Sequence, residues 1–219
     1  YLLKAFNSQF PTNILKRSDV LSTWAGVRPV IGAEKSKDPS KERRDHAVWS
    51  DNGLITVSGG KLTTFRLIAL DALAAAKDNL PAAKEIIDDR MFLTPKIAAH
   101  ALSPENTSWA QRLLGRYGDK AIELLNESSQ DQQHNLDATE FSLAECRWAI
   151  KYEAVEHLDD LLLRRTRLGM CLPNGGSNLY PALKDLFLSY QSWDEERWQQ
   201  EVNRYETIWT KYYSLPSNA

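Results

Sequence analysis

One stretch decides the fold of the first part of the chain: Gly53-Leu54-Ile55-Thr56-Val57-Ser58-Gly59-Gly60-Lys61-Leu62-Thr63-Thr64-Phe65-Arg66. Its apolar, β-branched run predicts a strand, the glycine pair predicts a turn, and the two threonines open an apolar helix. The start of such a helix directs free backbone N–H groups and the positive end of the helix dipole at one point. Lys61 adds a cation at the tip of the turn, so the pattern predicts a binding point for an anionic or electron-accepting ligand.

A second motif precedes the first. Residues 24–29 read Trp24-Ala25-Gly26-Val27-Arg28-Pro29, and a polar stretch ending in Arg43-Arg44-Asp45-His46 follows. Arg28 closes a short apolar segment, where a rigid, forked guanidinium is suited to a carboxylate or a phosphate.

Two other interpretations of the glycine turn come from the residues alone. A nucleotide-binding P-loop needs a glycine five residues before the second glycine and Ser or Thr directly after the lysine. Those positions hold Ile55 and Leu62, so the P-loop is excluded. An ordinary strand-to-helix turn with a solvated Lys61 stays open, because glycine is the default turn residue.

Together and in this order, the two motifs closely resemble FAD-dependent glycerol-3-phosphate dehydrogenases of the aerobic, membrane-associated bacterial type. That family has Trp-(Ala/Ser)-Gly-x-Arg-Pro followed by Gly-Gly-Lys-x-Thr-Thr-(Tyr/Phe)-Arg. The opening of the chain, Tyr1 to Asn7, and the run Asp159 to Met170 are also similar to the family. Gly-x-Arg-Pro recurs more loosely among amino-acid oxidases, so the pair of motifs carries the resemblance.

The resemblance implies oxidation of glycerol 3-phosphate with FAD as cofactor and a membrane quinone as electron acceptor. It implies a substrate-binding role for Arg28 and both a catalytic and a substrate-binding role for Lys61. The cofactor-binding residues implied by the family motif are Gly59, Gly60, Lys61, Leu62 and Thr63.

The family's Rossmann Gly-x-Gly-x-x-Gly turn has no counterpart here, since no Gly-x-Gly occurs in the 219 residues. We therefore expect a C-terminal part of a larger enzyme, inactive alone, with weak or absent FAD binding and with its catalytic base elsewhere. The resemblance further implies a cytoplasmic protein, peripheral at the inner membrane, and a possible homodimer. Two alternatives stay open: a glycerol-3-phosphate oxidase that uses O2, and a non-catalytic helical interaction module.

Composition excludes several other classes. Hydrophobic residues at 42%, charged residues at 26% and a net charge of −2 indicate a globular protein without the basic surface of a nucleic-acid binder. Cys146 and Cys171 form no Cys-x-x-Cys, and we expect both to be reduced packing residues. The four histidines show no metal-ligand spacing, so no metal is predicted.

The predicted fold class is α+β, mainly α. Residues 1–80 would be the remnant of an FAD- and substrate-binding α/β domain, 81–95 a linker, and 96–219 an all-helical C-terminal cap domain. Strands are expected at 27–31, 47–50 and 54–57, and a helix at 63–79 with Leu67, Leu70 and Leu73 toward a core.

The later helices are predicted from their caps and their apolar spacing. Capping boxes are expected at Ser142 and Ser192, and the helix that follows His157 is expected to end at Gly169. A buried stripe is predicted along the last helix, comprising Trp198, Val202, Tyr205, Trp209 and Tyr212.

Overall fold

The computed structural model describes residues 1–27, 45–80, 98–103, 107–136 and 139–216. Contacts divide the chain into two units, one of Tyr1–Trp24 with Leu93–Ala219 and one of Ala25–Phe92. The predicted linker lies outside the described residues, and the domain limits stay a prediction. By its contacts, the opening segment belongs with the helical part.

The described residues form a mainly helical α+β protein, as predicted. The elements of the unit Ala25–Phe92 are β1 (His46–Asp51), β2 (Leu54–Gly59) and α2 (Phe65–Ala76). Those of the other unit are α1 (Leu2–Gln9), α3 (Ala99–Leu102), α4 (Thr107–Tyr117), α5 (Lys120–Asn126), α6 (Leu143–Tyr152), a π-helix (Asp160–Arg165), α7 (Leu168–Cys171), α8 (Tyr180–Tyr190) and α9 (Glu195–Tyr212).

The smaller unit is a hairpin followed by a helix. β1 and β2 pair antiparallel, with His46 opposite Gly59 and Asp51 opposite Leu54. Asn52 and Gly53 have φ of 48° and 84°, which suits a tight hairpin turn. The predicted strands 47–50 and 54–57 are confirmed. The strand predicted at 27–31 lies outside the described residues apart from Val27.

The core expected for α2 is only partly present. α2 packs on both strands of the hairpin. Leu67 is 52% exposed and Leu73 is 43% exposed, so the prediction that both point into a core is wrong. A two-stranded sheet is too narrow to cover more than one side of a helix that is apolar nearly all round.

The main core lies in the helical unit, between α6, the π-helix, α8 and α9. Of the predicted stripe on α9, Trp198, Val202 and Tyr205 are buried, and Trp209 is partly buried against the same core. Tyr212 is 59% exposed, so the stripe is wrong at its last position, where α9 ends.

Caps explain where these helices begin. The capping box at Ser142 is confirmed, because the Ser142 N–H donates to Glu145 Oε2 at 3.0 Å. The one predicted at Ser192 is wrong. Asp194 caps α9 by accepting from the Arg197 N–H at 2.8 Å, while Ser192 has a left-handed φ of 54°.

The prediction that the helix after His157 ends at Gly169 is also wrong. The π-helix ends earlier, before Arg167, which has a left-handed φ, and Gly169 lies inside α7.

Two buried carboxylates join the π-helix to α9. Asp159 accepts hydrogen bonds from Arg164 and from Arg204. Glu201 accepts from the Leu158 N–H at 3.2 Å and lies 2.9 Å from His157 Nδ1. Burial raises the pKa of Asp159, but the hydrogen bonds and charges of the two arginines outweigh burial and hold that pKa below its usual value.

Asp159→Asn should therefore destabilise the helical unit by about 1–3 kcal/mol at neutral pH, because Arg164 and Arg204 lose their shared charged acceptor but remain partly exposed to water. The folded-state pKa of Asp159 is lowered, so its contribution is complete above the unfolded pKa and is lost as pH falls through the folded one. The difference between wild type and variant should thus shrink below about pH 4. Denaturant unfolding from pH 7 to pH 2 measures it.

Glu123→Gln is the control for this measurement. Its carboxylate pairs with Lys120 at 2.6 Å, but both side chains are more than half exposed. The change should cost less than about 1 kcal/mol. A loss for Asp159→Asn no larger than that of the control would contradict the proposed role of the buried pair.

Candidate functional site

The glycine turn connects the hairpin to α2. β2 ends at Gly59 with φ of 78°, and Gly60 follows with φ of 85°. Two consecutive left-handed residues reverse the chain, and glycine adopts them without the steric cost of a side chain. One turn of 3₁₀ helix, Leu62–Thr64, then leads directly into α2.

Gly60 also has no room for a side chain. A Cβ there would lie 2.5 Å from Ile68 Cδ1 and 3.2 Å from His46 Cβ. His46 Nε2 lies 2.6 Å from Asp71 Oδ2, which ties the start of β1 to the middle of α2. This pair was not predicted, because no sequence signal connects a strand residue to a helix residue 25 positions away. It fixes the angle at which α2 leaves the turn.

The backbone donors of the turn are divided between internal and free groups. The Lys61 N–H donates to Thr64 Oγ1 at 3.3 Å, and that hydroxyl donates to Lys61 O at 3.0 Å. Within the described part of the chain, the N–H groups of Leu62 and Thr63 have no hydrogen-bond partner. The structure therefore leaves two adjacent donors at the positive end of α2 for a ligand.

The side chains around these donors face solvent. Lys61 is exposed and forms no ion pair with any residue that the structure describes. Leu62 is 89% exposed, which is unusual for an apolar residue at the start of a helix. Five of the six predicted site residues, 59–63, thus lie together on one turn. The sixth, Arg28, lies outside the described residues.

This turn fits the electron-rich edge of a flavin. Two unpartnered N–H groups at a helix N-terminus stabilise negative charge, and a glycine pair lets a planar ring approach the backbone closely. Lys61 could supply a mobile positive charge beside the same donors. FAD bound here would supply a two-electron acceptor.

The segment that leads to the Arg28 motif is held by the helical unit. Thr23 bonds twice to the chain after α9: its N–H donates to Tyr213 O at 2.7 Å, and its hydroxyl donates to Ser214 O at 3.0 Å. The Ser22 hydroxyl donates to Met170 O at 2.8 Å. These contacts lie three and four residues before Gly26, so bonds within the helical unit hold the two residues that directly precede Trp24.

The sequence profile for the C-terminal domain of alpha-glycerophosphate oxidase matches residues 75–198 of the chain. The chain belongs to this family. Its membership confirms the resemblance that the two motifs indicate.

Several relatives of the chain are glycerol-3-phosphate dehydrogenases. The aerobic glycerol-3-phosphate dehydrogenase of Staphylococcus epidermidis is 32% identical over 187 residues, which cover 76% of this chain and 33% of the relative. The glycerol-3-phosphate dehydrogenase of Mycobacterium leprae is 31% identical over 220 residues, covering 94% of this chain and 37% of the relative. The mitochondrial glycerol-3-phosphate dehydrogenase of Bos taurus is 29% identical over 205 residues, covering 86% and 28%.

This member of the family spans about a third of the length of the curated relatives it matches. The match to the M. leprae enzyme covers so much of the chain that it includes the whole stretch from Trp24 to Arg66. Among the described residues, no group of acidic, histidine or cysteine side chains could hold a metal ion, and no helix is long and apolar enough to cross a membrane.

Gly60→Ala should loosen the turn and both elements beside it. The variant combines left-handed strain of about 1–2 kcal/mol with overpacking against Ile68 and His46 of about 1–3 kcal/mol. Hydrogen exchange of the β2 and α2 amides measures the loss of local stability.

Gly53→Ala is the matched control, because Gly53 has nearly the same φ of 84° but nothing within 4 Å of the added Cβ. It should show the strain alone. Equal effects of the two variants would mean that the close packing at Gly60 contributes nothing.

Proposed function

We propose that this chain is the C-terminal part of an FAD-dependent enzyme that oxidises sn-glycerol 3-phosphate to dihydroxyacetone phosphate and passes the electrons to a membrane quinone. The observation that carries the proposal is the turn at 59–63, with two free amide groups and an exposed lysine at the start of α2. The names of the relatives support the substrate.

Each residue of the turn has a separate task in this proposal. The Leu62 and Thr63 amides, together with the α2 dipole, would stabilise negative charge on the edge of a flavin held at this turn. Gly59 and Gly60 have no side chains, so they would let the ring approach the backbone closely. Lys61 would stabilise the substrate oxygen that loses its proton.

Arg28 binds the substrate dianion in this scheme. A guanidinium can donate two parallel hydrogen bonds to a phosphate, and Pro29 after it restricts the backbone. Hydrogen bonds within the helical unit hold residues 22 and 23, a few positions before Arg28 in the sequence.

A glycerol-3-phosphate oxidase is the second candidate, because the family that matches the chain takes its description from such an enzyme. The two candidates share the turn and differ in the acceptor. Peroxide release by the complete protein during turnover, in the absence of quinone, favours the oxidase. Reduction of a quinone analogue without peroxide favours the dehydrogenase. We also propose that the complete protein is cytoplasmic, peripheral at the inner membrane, and forms a homodimer.

Lys61→Met in the complete enzyme should slow anaerobic reduction of the flavin by about a hundredfold, because it removes a charge that acts at the reacting centre.

Arg28→Ala should instead raise KM, because roughly 2–5 kcal/mol of substrate-binding free energy is lost. The flavin should be retained. Stopped-flow kinetics and flavin content measure both.

Lys77→Met is the control for Lys61→Met. Lys77 is exposed just after the far end of α2, so this change also replaces one lysine by methionine but does so away from the turn. It should leave the reduction rate unchanged. A Lys61 variant with normal reduction and a raised KM alone would make Lys61 a binding residue only.

The chain by itself should bind FAD weakly or not at all and should not oxidise the substrate. The turn would contact only one edge of the cofactor, and a pyrophosphate needs a glycine-rich turn of its own. Titration of FAD into the 219-residue chain, followed by flavin fluorescence, tests this. Saturable micromolar binding with bleaching by glycerol 3-phosphate would contradict it.

A further inference from the structure

The helical unit contains a cleft of about 560 Å³. Its lining residues, between positions 112 and 171, do not include the turn at 59–63. Its walls are α4, the segment 139–141 and the chain from Thr166 to Cys171. The volume lies within the range of small-molecule sites, roughly 300–1,000 Å³. Neither the proposed oxidation nor the family description uses this cleft.

The charge in the cleft comes from Arg116. Its Nε donates to Tyr117 Oη at 2.9 Å and one Nη2 hydrogen goes to Arg165 O, while the guanidinium lies 4.9 Å from the centre of the Phe141 ring. Among the residues that the structure describes, no carboxylate pairs with it. A guanidinium has five N–H donors, so three remain for a ligand. A cation in the last turn of α4 also suits the helix dipole, but that role uses none of these donors.

The other arginine in the cleft is neutralised. Arg112 forms a bidentate pair with the fully buried Glu145, with Nη1 to Oε1 at 2.9 Å. Tyr117 Oη also donates to Glu145 at 3.2 Å, so Arg116 is held in place through the same buried carboxylate. Glu140 at the rim is 82% exposed, and water screens its charge. Arg116 is therefore the arginine of the cleft without a carboxylate in direct contact among the described residues, although Glu153 lies close enough for its charge to interact with that of Arg116.

Phe141 supplies much of the apolar lining. Its ring centre lies 5.3 Å from the guanidinium of Arg112 and 4.9 Å from that of Arg116, and the fully buried Leu168 borders the same cavity. Gly115 lies on the exposed side of α4, and a Cβ there would meet nothing within 4 Å. The hydroxyls of Thr139 and Thr166 already donate to backbone carbonyls, so the arginine is the main polar anchor.

From this geometry we propose that the cleft binds a small organic monoanion, a carboxylate on an apolar body. The carboxylate accepts from the free N–H groups of Arg116, and the apolar body lies along the lining beside Phe141. This proposal is independent of the oxidation proposed for residues 59–63.

Cys171 provides a built-in reporter. It lines the cleft and is exposed, whereas Cys146 is fully buried and burial raises the pKa of its thiol far above the usual range. Uncharged iodoacetamide should therefore label Cys171 first, and a bound ligand should slow that labelling. Mass spectrometry of the intact chain and of its peptides identifies the labelled thiol.

The experiment uses 2-naphthoate as the probe and 2-naphthamide as its uncharged match. We expect 2-naphthoate to protect Cys171 in a saturable manner and the amide to need about tenfold higher concentration, because the amide lacks the charge-assisted hydrogen bonds. Equal protection by both compounds, or no saturable protection, overturns the proposal.

Three variants locate the site. Arg116→Gln should weaken naphthoate about tenfold and leave naphthamide unchanged. Gly115→Leu should abolish protection by both while the chain stays folded, since the new side chain enters open space on a helix. Lys211→Gln, which removes one exposed charge from α9, should change nothing. Loss of naphthoate binding in Lys211→Gln, or unaltered binding in Gly115→Leu, contradicts binding in the cleft.

Discussion

Asp159 and Glu201 are carboxylates in the interior of the helical unit, and the arrangement around them depends on their arginine partners. Arg164 and Arg204 neutralise Asp159, and Arg197 lies 2.8 Å from Glu201. Of these contacts, the pair Arg204–Asp159 connects the region of the π-helix to α9, and so do the bonds of Glu201 to the Leu158 N–H and His157. A buried charge without a partner costs several kcal/mol, so α9 is confined to the one orientation that satisfies both carboxylates.

The orientation of α9 fixes the loops packed against it. Tyr205 Oη donates to Gly175 O at 2.7 Å, and Trp209 Nε1 donates to Gly169 O at 2.7 Å. Both glycines approach these rings so closely that a side chain at either position would collide with α9. The end of α9 in turn presents the carbonyl groups that hold Thr23. A continuous set of contacts therefore runs from two buried charges to the segment that precedes the Arg28 motif.

Much of this was predictable from local pattern. The strands at 47–50 and 54–57, the capping box at Ser142 and the buried face of α9 follow from spacing and cap chemistry, which act over a few residues. Errors arose where the outcome depends on distant partners. Leu67 and Leu73 have the spacing of core residues, but the two-stranded sheet beside them covers too little of α2. Ser192 begins a sequence typical of a capping box, but Asp194 is the residue that caps α9, because its carboxylate lies nearer the first N–H groups of the helix.

In the candidate site, too, the local features were predictable and the tertiary ones were not. Gly59, Gly60 and the threonines predict the turn, since its backbone geometry allows few residue types at those positions. The tie between His46 and Asp71 and the two amide groups that stay free are tertiary features. The cleft at Arg116 is invisible in the sequence for a similar reason: its lining residues come from three separate segments, none of which has a recognisable motif.

The bonds of residues 17 and 23 to the chain after α9, and of residue 22 to α7, have a further consequence for how the chain can be divided. Arg17 donates to Pro216 O at 2.5 Å across 199 positions, and Ser22 and Thr23 add three more bonds close by. The first 24 residues are thus a docked piece of the helical body rather than a leader to the hairpin. A protease cut between residues 25 and 92 would separate the covalent chain but leave that piece bound, so the two products would be expected to travel together until denatured.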